Sequence, residues 1–285
     1  MIPTGILDSA MGSELIKYGE ILPEHIWSAK TNLTNPQLIY KIHKSHIHAG
    51  ANYITTNTFR TTKRAFKKLG LSNNKATQLA TESFNSALQM AHKASKGKVK
   101  ILGSIAPLED CYSPNLFPGK KIALREYEEI ANLFSSTNID CFLLETMTNI
   151  TEIKSCLTIL KNFNIPIWVS LNLLNQSEIL SGESLTNTIK EVKKFPVDCI
   201  LLNCNPLERT LKALMVLKKK WGKELGVYPN LGKGEPSIDG VINNYYSIDE
   251  FSNFIKKCFH IGINYIGGCC GANTDHIKII KELIK

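Results

Sequence analysis

Three of the eight cysteines fall where a chain readily builds a metal site. Cys204 closes the run Leu201-Leu202-Asn203, while Cys269 and Cys270 lie between Gly267-Gly268 and Gly271. A vicinal cysteine pair among glycines has little packing rationale, and glycine lets the backbone turn sharply enough for adjacent thiols to point the same way. Three thiolates fill three corners of a zinc tetrahedron and leave the fourth open, as in a reactive rather than a structural zinc site. Such a sulfur-rich metal is a poor Lewis acid for hydrolysis and a good partner for another soft ligand. The chemistry that follows is capture of a substrate thiol, whose free pKa lies near about 8.5, as its thiolate at neutral pH. A vicinal disulfide is the alternative, disfavoured in a reducing compartment.

The other cysteines read differently. Cys156 shares a helical stripe with Ile153, Leu157 and Leu160, Cys258 shares one with Phe251, Phe254 and Ile255, and Cys141 and Cys199 open strands. Core packing is expected for these four. Cys111 sits in a loop and stays open between site and core. A cysteine nucleophile for hydrolysis would need a histidine nearby, and none of the seven histidines falls at a predicted strand end. His43, His46 and His48 lie near the end of a helix, where solvation or pairing with the helix dipole is expected.

The elements that must position these groups follow from periodicity. Short apolar or β-branched runs, each followed by a segment with helical spacing, recur at Gly5 to Ser9, Asn52 to Thr56, Val99 to Ile105, Cys141 to Glu145, Ile167 to Asn172, Cys199 to Asn203, Leu225 to Tyr228 and Tyr265 to Gly268. Eight such repeats without a Pro- or Gly-rich linker predict one (β/α)8 TIM barrel over residues 1–285, with a doubly wound open sheet as the alternative. Helices are expected to open at Thr34 or Asn35 before Pro36 and at Ser247, and to end at Gly50, Gly222 and Gly262. Residues 106–121, with three prolines, read as a long loop after the third strand. Barrel chemistry sits at the C-terminal strand ends. Cys204 follows the sixth strand and Cys269-Cys270 the eighth, so a single neighbour separates them.

Composition narrows the class. With 285 residues, 43% hydrophobic and 21% charged, the chain has apolar material for a substantial core. The N-terminus lacks a basic, apolar leader and no run approaches the roughly 18 apolar residues of a membrane span, so a soluble cytoplasmic protein without a membrane partner is expected. The +9 net charge comes from 34 Lys and Arg against 25 Asp and Glu. Its basic runs, such as Lys218-Lys219-Lys220, lack interleaved aromatics and read as solvated faces, not as a nucleic-acid surface.

At these residues the sequence resembles the homocysteine S-methyltransferase family, which includes betaine–homocysteine methyltransferases and the first domain of cobalamin-dependent methionine synthases. The likeness spans nearly the whole chain. It is carried by Asn203-Cys204 with Gly267-Gly268-Cys269-Cys270-Gly271, and supported by Leu7-Asp8-Ser9-Ala10-Met11-Gly12-Ser13-Glu14-Leu15, Trp27-Ser28-Ala29-Lys30, the segment from Ala49 to Phe59, and Leu144-Glu145-Thr146. The resemblance implies a barrel, a zinc ion held by Cys204, Cys269 and Cys270, and methyl transfer to homocysteine. It implies that Glu145 binds the substrate ammonium and Asp8 helps position the amino acid, both through charge-assisted hydrogen bonds. Thr56 and Thr58 are expected hydrogen-bonding partners. Asn230 corresponds to a segment that supplies a fourth zinc contact in some relatives, with a turn role as the alternative.

The methyl donor is read from chain architecture. Relatives using folate through cobalamin carry further domains and betaine users an added C-terminal arm, whereas this chain ends at Lys285 soon after its last barrel helix. A sulfonium, S-methylmethionine or S-adenosylmethionine, is the expected donor, with Trp27 or Phe59 offering an aromatic face to its positive charge. Rival readings are a betaine-dependent or other thiol methyltransferase, a cysteine-nucleophile hydrolase, and a zinc-stabilised binding module.

Overall fold

Strands and helices alternate along the chain in a computed structural model that describes residues 3–233, 242 and 244–284. Eight strands build the central sheet: β1 (Gly5–Ile6), β2 (Tyr53–Thr55), β3 (Lys100–Ile105), β4 (Cys141–Met147), β5 (Ile167–Leu171), β8 (Cys199–Asn203), β9 (Glu224–Tyr228) and β10 (Tyr265–Ile266). Between them β6 (Leu173–Asn175) and β7 (Glu178–Ile179) form a separate antiparallel hairpin, which the periodicity does not predict. Every pairing in the large sheet is parallel, and its order runs β1-β10-β9-β8-β5-β4-β3-β2. A parallel bridge from Leu7 to Tyr53, with Asn52 N–H donating to Ile6 O at 3.0 Å, joins the two ends. That closure gives the expected barrel and excludes the open sheet.

Closure buries both faces of each strand, so the strands are mostly apolar on both faces. In β4, Cys141 and Leu143 face the barrel interior while Phe142 and Leu144 face the helices. Alternation then carries Glu145 to the interior face at the top of the barrel. The bottom is plugged by Tyr53, Trp168 and Tyr265, whose ring centroids lie 4.1–5.5 Å apart. Gly5 makes room for them: a Cβ there would stand 2.5 Å from the Tyr265 ring and 2.6 Å from that of Tyr53.

The outer core between sheet and helices includes Cys156 and Cys258, both fully buried, and Cys141 and Cys199 fill the barrel interior. Ser247 caps the helix Ile248–Ile261 in a reciprocal box with Glu250, and Gly262 ends it at φ 81°. Asn35 precedes the helix Pro36–Ala49 without a side-chain cap bond. Residues 106–119 form a loop containing a short 3-10 turn at Pro114–Leu116. Among the described residues no helix is long and apolar enough to cross a membrane.

Of the three histidines on the helix Pro36–Ala49, His48 is exposed as expected and two depart. His43 and His46 are fully buried rather than solvated, and none of their ring nitrogens has a hydrogen-bond partner among the described residues. Burial holds both neutral, lowering His43 to about 4 and His46, with a further push from His43, to about 3. The stripe Ile39, Ile42, His43, His46 and Ala49 is simply the buried face of the helix.

Candidate active site

The sixth and eighth barrel strands deliver the three cysteines to one place. Their ligand atoms lie within 4.8 Å of one another, with Cys204 Sγ 3.4 Å from Cys270 Sγ, and Cys270 Sγ 3.9 Å from Cys269 Sγ. Tetrahedral coordination at about 2.3 Å separates thiolates by about 3.8 Å, so the trio fits a zinc-sized ion. In its protonated form the cluster already favours one thiolate. Hydrogen bonds from Cys269 and Cys270, and then from Tyr112, hold Cys204 well below the ordinary thiol range against the effect of burial. Cys269 and Cys270 are correspondingly raised, because each serves as a donor to Cys204. A divalent cation would replace those protons.

The backbone is held hard where it delivers these sulfurs. Cys204 has φ 54°, a costly conformation for a residue with a Cβ. It persists because neighbours over-determine it: Cys204 N–H donates to Tyr228 O at 3.1 Å, and Asn172 Nδ2 donates to Cys204 O at 3.1 Å. Asn205 ties Asn203 O, at 2.8 Å, to Leu173 N–H on its other side, also at 2.8 Å. On the other arm Cys269 N–H donates to Pro229 O at 2.8 Å and Leu231 N–H to Cys270 O at 2.9 Å. Gly268 is needed for proximity, since a Cβ there would stand 2.3 Å from that of Ala272.

Asp8 and Glu145 lie in the wall of the same cavity, about 580 Å³ in volume, with Cys204, Cys269 and Cys270. Thr55 donates to Asp8 through its backbone N–H at 2.8 Å and its hydroxyl at 3.0 Å. Burial nevertheless pushes Asp8 up to about 8, helped by the charge of Glu145. Ser104 Oγ donates to Glu145 at 2.7 Å, and burial raises that carboxyl to about 7. The pairing of β4 with β5 shifts register between Leu144 and Met147, on either side of Glu145 and Thr146. Thr146 follows at φ 55°, fastened by its N–H to Asn203 Oδ1 at 3.2 Å and by Asn203 Nδ2 to its hydroxyl at 2.8 Å. Two buried carboxyls that resist ionisation are a ready receptor for a cation with several N–H donors.

The remaining expected residues are placed unevenly. Thr56 lines the cavity, but its hydroxyl lies 2.8 Å from that of Thr58 and accepts from Ser104 N–H at 3.0 Å. Thr58 donates to Ser104 O at 2.7 Å and lies outside the cavity wall, so both brace the serine that holds Glu145. Asn230 Oδ1 accepts from Gly232 N–H at 2.8 Å, which is the turn role. Trp27 lines the cavity at φ 43°, and Asn57 Nδ2 pins the next carbonyl, Ser28 O, at 3.0 Å. Phe59 also lines it, but its ring already carries the Arg60 guanidinium, 5.4 Å from the centroid. Arg60 is anchored to Glu109 O at 2.8 Å.

Further wall residues complete the site beyond the expected set. Tyr112 Oη stands 2.9 Å from Cys204 Sγ. Tyr228 ends β9 and turns its buried hydroxyl toward Glu145 and Ser170, lowering the Glu145 carboxyl against the effect of burial; the Ser9 hydroxyl is buried in the wall without a hydrogen-bond partner among the described residues. Tyr228 closes an expected strand, and Cys111 is the loop cysteine that the sequence leaves open between site and core, whereas Tyr112 beside it carries no spacing signal. His25 lines the cavity from a segment between helices rather than from a strand end. Among the described residues no histidine hydrogen-bonds to any of the three thiols, as a cysteine nucleophile would require.

Residues 5–284 match the family described as homocysteine S-methyltransferase. The chain is 27% identical over 305 aligned residues to homocysteine S-methyltransferase 3 of Zea mays, covering 98% of this chain and 89% of that protein. It is 26% identical over 298 residues to homocysteine S-methyltransferase YbgG of Bacillus subtilis (strain 168), covering 98% and 93%. The homocysteine methyltransferase MmuM from Escherichia coli, in a metallated form, superposes with a TM-score of 0.83 at 24% identity, covering 97% of this chain and 95% of that one. That superposition speaks for the fold.

Proposed function

The chain belongs to the homocysteine S-methyltransferase family, and from that premise we propose a zinc-dependent transfer of a methyl group from a sulfonium, S-methylmethionine or S-adenosylmethionine, to homocysteine, giving methionine. The acceptor follows from the family; the metal, the donor and the residue roles are our reading. The convergence of Cys204, Cys269 and Cys270 beside Asp8 and Glu145 in one cavity carries it. Those spacings suit a metal for the thiol and a receptor for the ammonium of one small amino acid.

Cys204, Cys269 and Cys270 would hold zinc, which when bound supplies a homocysteine sulfur that is already deprotonated at neutral pH. Asp8 and Glu145 give up protons to accept the substrate ammonium, which relieves the cost of two buried like charges. Ser104, braced by Thr56 and Thr58, fixes the direction from which Glu145 accepts. The acceptor sulfur forms its new bond to the methyl carbon as the carbon–sulfonium bond breaks. That electron pair returns to the donor sulfur, which leaves as a neutral thioether, and the thiol proton passes to solvent. Trp27 offers the face for the sulfonium, since the Phe59 ring is engaged by Arg60. Alignment of the two reactants then supplies the rate.

Zinc-loaded protein incubated with homocysteine and, separately, S-methylmethionine, S-adenosylmethionine or betaine tests this directly. Methionine is expected with a sulfonium. Turnover with betaine alone would overturn the donor assignment, and turnover undiminished after complete removal of zinc would overturn the metal's role.

A further inference from the structure

The loop after β3 brings a phenol against a sulfur that the reaction above uses only as a ligand. Tyr112 Oη lies 2.9 Å from Cys204 Sγ, hydrogen-bond distance for a hydroxyl donor even to an oxygen, and close for the larger sulfur. We propose that Tyr112 is a positioning residue of the metal site, donating a hydrogen bond to the Cys204 thiolate and thereby tempering how strongly that sulfur donates to the metal. The inference rests on the reading that the three cysteines hold zinc. A metal-bound cysteine sulfur carries no proton, so in this pair the phenol is the only donor.

The segment is built to aim that hydroxyl. Leu108 N–H donates to Glu152 at 2.8 Å, and Arg60 Nη1 donates to Glu109 O at 2.8 Å. Ser113 closes the turn on Asp110, its N–H reaching Asp110 O at 3.0 Å and its hydroxyl reaching Asp110 Oδ2 at 2.7 Å. Cys111 is buried on one side of Tyr112, and the 3-10 turn Pro114–Leu116 begins two residues after it. The residue as a whole is 41% exposed while its hydroxyl meets the sulfur. A tyrosine serving only to fill space would bury its ring and leave the hydroxyl to water. Here the polar end is directed inward, which is how outer partners orient and tune metal ligands.

Tyr112→Phe removes the hydroxyl and keeps the ring, and Tyr112→Leu removes both as a packing control. In cobalt-substituted protein the hydrogen bond lowers the energy of the sulfur electrons, so the thiolate-to-cobalt charge-transfer band of Tyr112→Phe is expected at longer wavelength than in wild type. Zinc is expected to pass to a chromophoric chelator about tenfold faster from Tyr112→Phe, the effect of losing one outer partner. A wild-type band and release rate in Tyr112→Phe, with change only in Tyr112→Leu, would show a packing role and overturn the inference alone. Wild-type protein that takes up neither cobalt nor zinc would overturn the metal reading beneath it.

Discussion

Replacing Glu145 by glutamine separates what the pocket does for binding from what it does to the fold. Burial raises this carboxyl from an ordinary 4.5 to about 7 in the metal-free protein. At about 1.4 kcal/mol per pH unit, that interval makes the ionised side chain oppose folding by up to ~3 kcal/mol. The folded value lies above the unfolded one, so below pH 4.5 both states hold the proton and nothing is lost. Stability falls as pH rises through the interval, and the full loss persists above pH 7. Glutamine cannot ionise, and its Oε1 can still accept from the Ser104 hydroxyl. Glu145→Gln is therefore expected to match wild type near pH 4.5 and to melt up to ~6 °C higher at pH 8, at about 2 °C per kcal/mol for a chain of this length. Calorimetry of chelator-treated protein at the two pH values measures this. Binding moves the other way: losing a charge-assisted hydrogen bond to the ammonium costs about 1.5–3 kcal/mol, a roughly 10- to 100-fold rise in KM for homocysteine. A variant less stable than wild type at pH 8, or one with an unchanged homocysteine KM, refutes the reasoning.

Cys204→Ser is expected to lose zinc and methyl transfer together, checked by metal analysis beside methionine formation; full zinc with full turnover contradicts the ligand role. Gly268→Ala sets a Cβ 2.3 Å from that of Ala272, so the segment carrying Cys269 and Cys270 must shift. Overpacking of that kind costs about 1–3 kcal/mol, and weaker zinc retention should accompany the lower melting temperature. Trp27→Ala should raise KM for the sulfonium roughly 5- to 30-fold, the worth of a desolvated cation–π contact of about 1–2 kcal/mol, while homocysteine KM stays near wild type; equal effects on both substrates argue against that face. His43 and His46 have folded values of about 4 and about 3, below the ordinary 6.5. The unfolded chain therefore binds protons that the folded chain refuses, and stability falls as pH drops below 6.5, by about 1.4 kcal/mol per pH unit for each ring until its folded value is reached. Urea unfolding between pH 4.5 and 6.5 measures the slope, and His43→Leu should remove one proton from it.

Much of the barrel and the three cysteines were legible because both rest on local pattern. Apolar runs such as Cys199 to Asn203 announce doubly buried strands wherever they pair, and a vicinal cysteine pair among glycines stands out without any partner in view. The short β6–β7 hairpin was not legible, since a few mixed residues carry no resolvable period. His43 and His46 were misplaced for a related reason: polarity suggested solvent, but the helix turns both into the apolar stripe with Ile39 and Ile42. Glu145 and Asp8 could be singled out only by their positions at strand ends and by family resemblance. Their raised proton affinity comes from burial, which no sequence spacing encodes.

The sequence by itself determined where the eight barrel strands lie, to within a few residues at their ends, because alternation and helical spacing are properties of neighbours along the chain. Only the tertiary structure decided what those ends become together. Barrel closure sets sulfurs from residues 204 and 270 at 3.4 Å, turns Thr58 to bracing the backbone of Ser104, and lowers Tyr112 from a proline-punctuated loop onto Cys204. Those are contacts between residues far apart in the chain, and their distances exist only once the sheet has closed.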